Sequence, residues 1–177
     1  RNKARGKHSQ DCFCFNNMGQ FLPETLPGAQ LTRRFTMQAI VGSLNFLMNT
    51  HVLHPHPDTP CSVLQTLTVR LQVTAQAWQL RYVLSVELAR LRLPARPKTP
   101  GPREGLWQHS CLELFAGHAA DTVYHEFNFS PAGDWAAYAF TDTRQRASPD
   151  QIAVQPPLRW QHTGERAVLE VQLPRAA

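Results

Sequence analysis

Apolar and polar residues alternate along most of the chain that follows residue 62, and this two-residue period is typical of half-buried β-strands. The alternation is cleanest from Trp78 to Leu88, where an apolar side chain occupies every second position. A short turn through 74–77 joins this segment to the alternating segment 67–73, which predicts a β-hairpin. Further strands are predicted at 111–116, 122–129, 135–140, 152–154, 158–162 and 167–173.

Proline and glycine divide these strands into short pieces. Four prolines lie within Leu93–Gly105, so we expect a loop there, and the sequence Ser-Pro-Ala-Gly-Asp at 130–134 predicts a turn. The polar segment 141–151 is predicted to be a turn region as well. Many short strands with turns between them favour an all-β fold, an antiparallel β-sandwich of immunoglobulin-like or jelly-roll-like proportions.

The two faces of the predicted central strands differ in chemistry. In steps of two, the segment 122–129 places Tyr124, Glu126 and Asn128 on one face, and mainly apolar residues on the other. The preceding strand carries Glu113 on the face opposite its leucines. If the two strands pair, Glu113 lies beside Glu126 and Asn128. The sequence therefore predicts a row of acid and amide groups on the face that does not form the core.

The charge is distributed unevenly along the 177 residues. The net charge is +5, with 18 basic and 13 acidic residues. Before Met37 six basic residues face two acidic ones, which is +4, and from Met37 onward twelve face eleven, which is +1. Because a nucleic-acid footprint requires a basic face on the folded domain, we expect no nucleic-acid partner.

The cysteines indicate neither a zinc site nor a disulfide framework. Cys12 and Cys14 are separated by one residue, which is the wrong spacing for a zinc knuckle, and no second pair follows. Free thiols favour a reducing compartment, so a cytoplasmic location is expected. His54 and His56 have no third ligand nearby in the sequence, so we expect no metal site.

The first fifty residues show no strand or helix period. The longest apolar run, Met37–Met48, is shorter than the ~20 residues that a membrane helix needs, so we expect no membrane span. Arg33 and Arg34 precede it as in a secretion signal, but it lacks the usual small-residue cleavage site. We interpret 1–50 as a disordered or misassigned extension and 51–177 as the folded domain.

The residues around the predicted acid row are those that bind sugars. A pyranose has an apolar face that stacks on an indole and a rim of hydroxyls that carboxylates and amides can orient. Trp107 and Trp135 would provide the stacking surfaces, with Glu113, Glu126 and Asn128 as the hydrogen-bonding groups. The first hypothesis is a non-catalytic, carbohydrate-binding β-sandwich with a small sugar or glycan as its ligand.

Three alternatives remain open at this point. Glu113 and Glu126 could form a glycosidase pair, but two carboxylates side by side on a sheet face contact one object from one side, so we expect no enzyme. A haem-binding electron-transfer domain would use His109 or His125 as axial ligand, with Met48 as a second. His125, on the apolar side of its strand, is expected to be a core histidine. The third alternative is a structural module that accompanies a neighbouring enzyme domain.

Two long motifs resemble a known family. LWQHSCLELF at 106–115 and YHEFNFSPAGDWAAYAF at 124–140 are similar to segments of bacterial DOMON-like proteins, which in turn resemble the family 9 carbohydrate-binding modules. The resemblance covers about 51–177 and implies a β-sandwich whose relatives bind either sugars or haem. The positions that match the family's motif residues are Trp107, Glu113, Glu126, Asn128, Trp135 and Arg144.

The resemblance also implies that the domain is incomplete. Members of the family continue past the Leu-Pro pair at Leu173 and Pro174 with further strands, whereas this chain ends at Ala177. We therefore expect that the closing C-terminal strands are missing, which would leave a sheet edge unpaired.

Overall fold

The computed structural model describes residues 14–15, 49–54, 63–117 and 122–174, and of residues 14, 15, 49 and 151 only the backbone. Ten strands and two short 3₁₀ turns lie within these residues. The turns are η1 (Leu88–Arg90) and η2 (Leu106–Gln108). The strands are β1 (Cys14–Phe15), β2 (Asn49–Leu53), β3 (Leu64–Val73), β4 (Ala77–Val86), β5 (Cys111–Gly117), β6 (Tyr124–Phe129), β7 (Trp135–Asp142), β8 (Gln145–Gln151), β9 (Leu158–Thr163) and β10 (Arg166–Pro174).

The described strands form two sheets, each of five strands. Sheet A has the order β1-β5-β6-β7-β8, and sheet B has the order β2-β3-β4-β10-β9. Neighbouring strands are antiparallel, except that β1 pairs with β5 in parallel. The prediction of an all-β, antiparallel sandwich is confirmed. Residues 49 and 50 of sheet B and 14 and 15 of sheet A belong to the segment predicted to be an extension; the rest of that segment lies outside the described residues.

One apolar core fills the space between the sheets. Phe129 and Leu114 of sheet A and Leu67, Tyr82 and Leu169 of sheet B are fully buried there. Each comes from the apolar half of an alternating strand, so the predicted period places the core correctly. The Tyr82 hydroxyl also donates a hydrogen bond of 3.1 Å across the core to the backbone carbonyl of Glu113.

The predicted 74–77 hairpin is confirmed, since Thr74 N–H donates to the Ala77 carbonyl at 2.9 Å between β3 and β4.

The predicted turn region at 141–151 is wrong, because this segment continues β7 and forms β8. Its polar residues pair at the edge of sheet A, where a strand needs little apolar surface. The predicted strand at 152–154 is also wrong, since these residues form a loop.

The long loop 93–105 is held to the end of sheet A. Buried Asp134 accepts a hydrogen bond from Gly101 N–H at 3.0 Å and one from Arg103 Nε at 2.7 Å. Arg103 N–H donates to the Trp135 carbonyl at 2.8 Å, and Trp135 N–H donates to the Gly101 carbonyl at 3.2 Å. The loop therefore enters η2 from a defined position next to β7.

Candidate functional site

The outer face of sheet A, which points away from the core, is buried as well. Cross-strand register brings together the polar half of each alternating strand, with Glu113 opposite Asn128, Asn128 opposite Ala136, and Glu126 opposite Tyr138. Leu106 of η2 packs on this face and is 3% exposed. One side chain of the 3₁₀ turn therefore forms a second layer over part of this face.

Four polar side chains run side by side under this layer, and we call them the polar row: Cys111, Glu113, Glu126 and Asn128. Their exposed fractions are between 0 and 5%. Asn128 Nδ2 donates to Glu126 Oε1 at 2.8 Å, and Cys111 Sγ lies 3.5 Å from Glu113 Oε1 and 3.6 Å from Asn128 Oδ1. The predicted proximity of Glu113, Glu126 and Asn128 is confirmed, in a buried position.

Aromatic rings occupy the end of the same face next to Glu126. Tyr124 and Phe140 stack with a centroid separation of 4.6 Å and an interplanar angle of 6°, and Phe115 lies 6.0 Å from Tyr124. Phe115 is directly opposite Glu126 in the strand register. The polar row is thus bordered by apolar rings on one side.

A charged rim borders the row on the side of β7 and β8. The Tyr138 hydroxyl donates to Glu104 Oε2 at 2.9 Å, and the Arg146 guanidinium lies 3.9 Å from the centroid of the Tyr138 ring. Arg146 also forms ion pairs with Glu104 at 3.5 Å and Asp150 at 3.1 Å. Burial, together with the hydrogen bond to Glu104 and its negative charge, raises the pKa of Tyr138 to about 12.

This raised pKa predicts a fall in stability at alkaline pH. Between pH 10, where a phenol in an unfolded chain ionises, and about 12, the folded protein retains a proton that the unfolded chain has released. The free energy of unfolding therefore decreases with rising pH in this window, by at most about 1.4 kcal/mol per pH unit, and is unaffected by Tyr138 below it. Urea titrations across this range, compared with Tyr138→Phe, measure the slope. Equal slopes in the two proteins would contradict the prediction.

Two of the predicted site residues lie elsewhere. Trp135 pairs with Phe129 on the inner face, is 8% exposed in the core, and donates from Nε1 to the Val154 carbonyl at 2.8 Å. Its ring faces are not available for stacking on a ligand, which corrects the prediction of two stacking tryptophans. Arg144 lies at the tip of the β7–β8 hairpin with φ 58°, and its N–H donates to the Tyr124 hydroxyl at 3.3 Å.

Trp107 lies in η2, the turn that follows the long loop 93–105. It is half-buried on η2, next to Leu106, whose side chain packs on the outer face of sheet A. Gly105 begins this turn with φ 73°, a conformation that favours glycine. The turn therefore fixes the backbone of Trp107 next to the residue that packs on the outer face of sheet A.

The structure separates the two candidate haem ligands. His109 lies two residues before β5, while His125 is opposite Ala116 near the other end of that strand, roughly 23 Å from His109 at ~3.3 Å per residue. Both side chains are exposed, so the prediction of a core histidine at 125 is wrong. The two cannot ligate one iron together, and Met48 lies outside the described residues. In the described part of the chain no group of three or more His, Cys, Asp or Glu residues could hold a metal ion.

Sequence reasoning missed three residues of this site. Cys111 and Tyr138 share the strand parity of Glu113 and Glu126, so the alternation contained the signal that places them here. Arg146 lies in the segment that was predicted to be a turn. Only the β7–β8 hairpin, with Arg146 opposite Phe140, brings its guanidinium over this face.

Comparisons with known proteins found no matching family model, curated protein or solved structure. No helix in the described part of the chain is long and apolar enough to cross a membrane.

Proposed function

We propose that this β-sandwich is a non-catalytic binding module whose ligand is a carbohydrate, held at the outer face of sheet A. The observation that carries the proposal is the buried polar row; half-buried Trp107 lies in η2, whose Leu106 packs on the same face of sheet A. Carboxylate and amide groups form charge-assisted and neutral hydrogen bonds with sugar hydroxyls, and an indole covers the apolar face of a pyranose. These complementary groups lie within one layer of the protein.

Stability alone does not explain the polar row. Burying a carboxylate costs several kcal/mol unless hydrogen bonds and charges compensate, and apolar residues of similar volume are often as stabilising. Glu126 is surrounded by Phe115, Tyr124 and Tyr138, so apolar packing is already present there. A function in recognition accounts for acids at positions where the fold does not require them.

The ligand reaches the row through η2. This turn has three residues and places one fully buried side chain, Leu106, on the sheet. Exposing one leucine costs about 1.5–3 kcal/mol, which the hydrogen bonds of a bound sugar can offset. Trp107 belongs to the same turn, so we expect a movement of η2 to shift the indole as well.

The arrangement favours binding over hydrolysis. Glu113 is opposite Asn128, whereas Glu126 is opposite Phe115, so the two carboxylates are diagonal neighbours on one face. A glycosidase needs its two carboxyl groups on either side of the scissile bond. Two groups that approach a sugar from the same side orient it without meeting that requirement.

Binding to a panel of neutral mono- and oligosaccharides, measured by isothermal titration calorimetry, tests the proposal. We expect Glu126→Gln to weaken binding by about 1–3 kcal/mol, since it replaces a charged acceptor by a neutral one of the same shape. Trp107→Ala should weaken binding by a similar amount. Glu165→Gln is the matched control, because Glu165 is exposed in the β9–β10 turn and its substitution should leave the affinity unchanged.

Three other results would decide against this function. If neither Glu126→Gln nor Trp107→Ala changed the affinity, the sugar would bind somewhere other than the outer face of sheet A. A Soret band in the purified protein would favour the haem alternative, with His109 or His125 as a single protein ligand. A colourless protein that binds no sugar would favour the third alternative, a structural module that accompanies an enzyme domain.

A further inference from the structure

The outer face of sheet B, on the opposite side of the molecule from the polar row, contains a shallow cavity of about 400 Å³. It spans β3, β4, β10 and the start of β9. One side is formed by Pro157, whose carbonyl accepts a hydrogen bond of 3.1 Å from Gln172 N–H. A volume of this size lies within the usual range for sites that bind small ligands.

Four charged side chains cross the floor of this cavity in one transverse row, which we call the arginine row. Arg70 is directly opposite Arg81, Arg81 is opposite Glu170, and Glu170 is opposite Arg159. Three positive charges and one negative charge give the row a net charge of +2. Like charges directly opposite each other on a sheet destabilise it, so the Arg70–Arg81 pair costs stability.

The guanidinium groups are held in place by neighbours. Arg81 forms an ion pair with Glu170. When the side-chain amide of Gln161 is oriented with its oxygen towards the Arg159 guanidinium, the oxygen accepts two hydrogen bonds, at 2.7 Å from Nη2 and 3.0 Å from Nε. Arginine side chains that are oriented before binding lose less conformational entropy when an anion arrives.

A second transverse row, parallel to the first, consists of glutamines. Gln72 is opposite Gln79, and Gln79 is opposite Gln172, so three amides lie on adjacent strands at a spacing of about 4.8 Å. Each amide both donates and accepts hydrogen bonds, as a sugar hydroxyl does. Guanidinium groups pair with carboxylates through two parallel N–H···O bonds.

From these two adjoining rows we propose that the outer face of sheet B is a second binding site, for a carboxylated sugar of the uronic-acid class. The arginine row binds the carboxylate, and the glutamine row binds the hydroxyls. A nucleic acid fits less well, because the described residues that line the cavity include no aromatic ring for base stacking. Glu170 in the centre of the row also repels a continuous chain of phosphates.

Calorimetry with a uronic-acid oligosaccharide, and with the same oligosaccharide after reduction of its carboxyl groups to alcohols, tests this site. We expect the acidic form to bind about tenfold or more tightly than the reduced form, because only the former makes charge-assisted hydrogen bonds. Its affinity should fall with added salt, while that of the reduced form should not. Equal affinities for the two forms would overturn the proposal.

Two substitutions in the arginine row should act in opposite directions. Arg70→Gln should weaken binding of the acidic oligosaccharide about tenfold. Glu170→Gln should strengthen it, because it removes the one negative charge of the row while its amide oxygen can still accept a hydrogen bond from Arg81. Arg166→Gln is the matched control, because Arg166 lies on the same face of β10, beside Ser85 and Thr163 and outside the cavity. The proposal fails if Arg70→Gln and Arg166→Gln behave alike, or if Glu170→Gln weakens binding.

The two proposed sites can be tested separately. Trp107→Ala should leave binding of the acidic oligosaccharide unchanged, and Arg70→Gln should leave binding of a neutral sugar at the outer face of sheet A unchanged. A single-stranded oligonucleotide that displaces the acidic oligosaccharide at equal concentration would assign this face to general polyanions and overturn the uronic-acid specificity. If Trp107→Ala abolished binding of the acidic oligosaccharide, the proposal of a second, separate site would also be overturned.

Discussion

Alanine in place of Phe129 is expected to lower the free energy of unfolding by about 3–5 kcal/mol. The Phe129 ring is 0% exposed and lies between Leu112 of β5 and Trp135 of β7 in the strand register. Its removal would open a cavity on the inner face of sheet A, where β6 lies between β5 and β7. The rigid packing of a sandwich core allows only partial collapse around such a cavity.

Urea unfolding of the whole chain measures this loss, with two variants for comparison. Phe129→Leu retains most of the apolar volume and should cost clearly less than the alanine variant. Val123→Ala should change stability by no more than about 0.5 kcal/mol, because Val123 is 53% exposed. If Phe129→Ala cost no more than Val123→Ala, the placement of Phe129 between the sheets would be wrong.

The polar row should show strong coupling between Glu126 and Asn128. Asn128→Val alone removes the Nδ2 donor that Glu126 Oε1 accepts at 2.8 Å and leaves the carboxylate buried, so we expect a loss of about 3 kcal/mol. The double variant Glu126→Met with Asn128→Val replaces both partners by apolar groups. Its loss of stability should be about 2 kcal/mol smaller than that of Asn128→Val alone, because it leaves neither polar group buried without the other.

A double-mutant cycle of urea unfolding experiments measures this coupling. The expected stability of the double variant is close to that of the wild type, because buried polar pairs are often replaced by apolar residues without loss. Such a result would show that the row contributes little to stability and would support its retention for ligand binding. Additive effects of the two substitutions would contradict the coupling and indicate that the two side chains do not interact.

The alternating pattern contained the positions of both the polar row and Trp135, although only the polar row was predicted correctly. The proximity of Glu113, Glu126 and Asn128 follows from alternation and from the short connection between two strands that pair as neighbours. The position of Trp135 was also contained in the pattern, because it shares the parity of the core residue Phe129 once the turn length sets the register. The prediction of a ligand contact at Trp135 followed from its indole side chain, whereas its strand parity places it in the core.

The remaining parts depend on segments without a clear period. Arg146 lies in a polar segment that pairs only because β7 offers an open edge, and such edge strands need not alternate. The glutamine and arginine rows combine residues of β3, β4, β9 and β10, which are far apart in the chain. Each residue alone is an ordinary solvent-facing polar position in a strand.

The sequence by itself determined the all-β class and the side of each alternating strand that faces the core, because side chains alternate strictly between the two faces of a strand. Only the tertiary structure decided what covers each outer face. The polar row of sheet A is buried, on a face where Leu106 of η2 also packs, whereas the arginine row of sheet B stays open to solvent. The physical reason is that alternation acts between neighbouring residues, while coverage depends on contacts between distant parts of the chain.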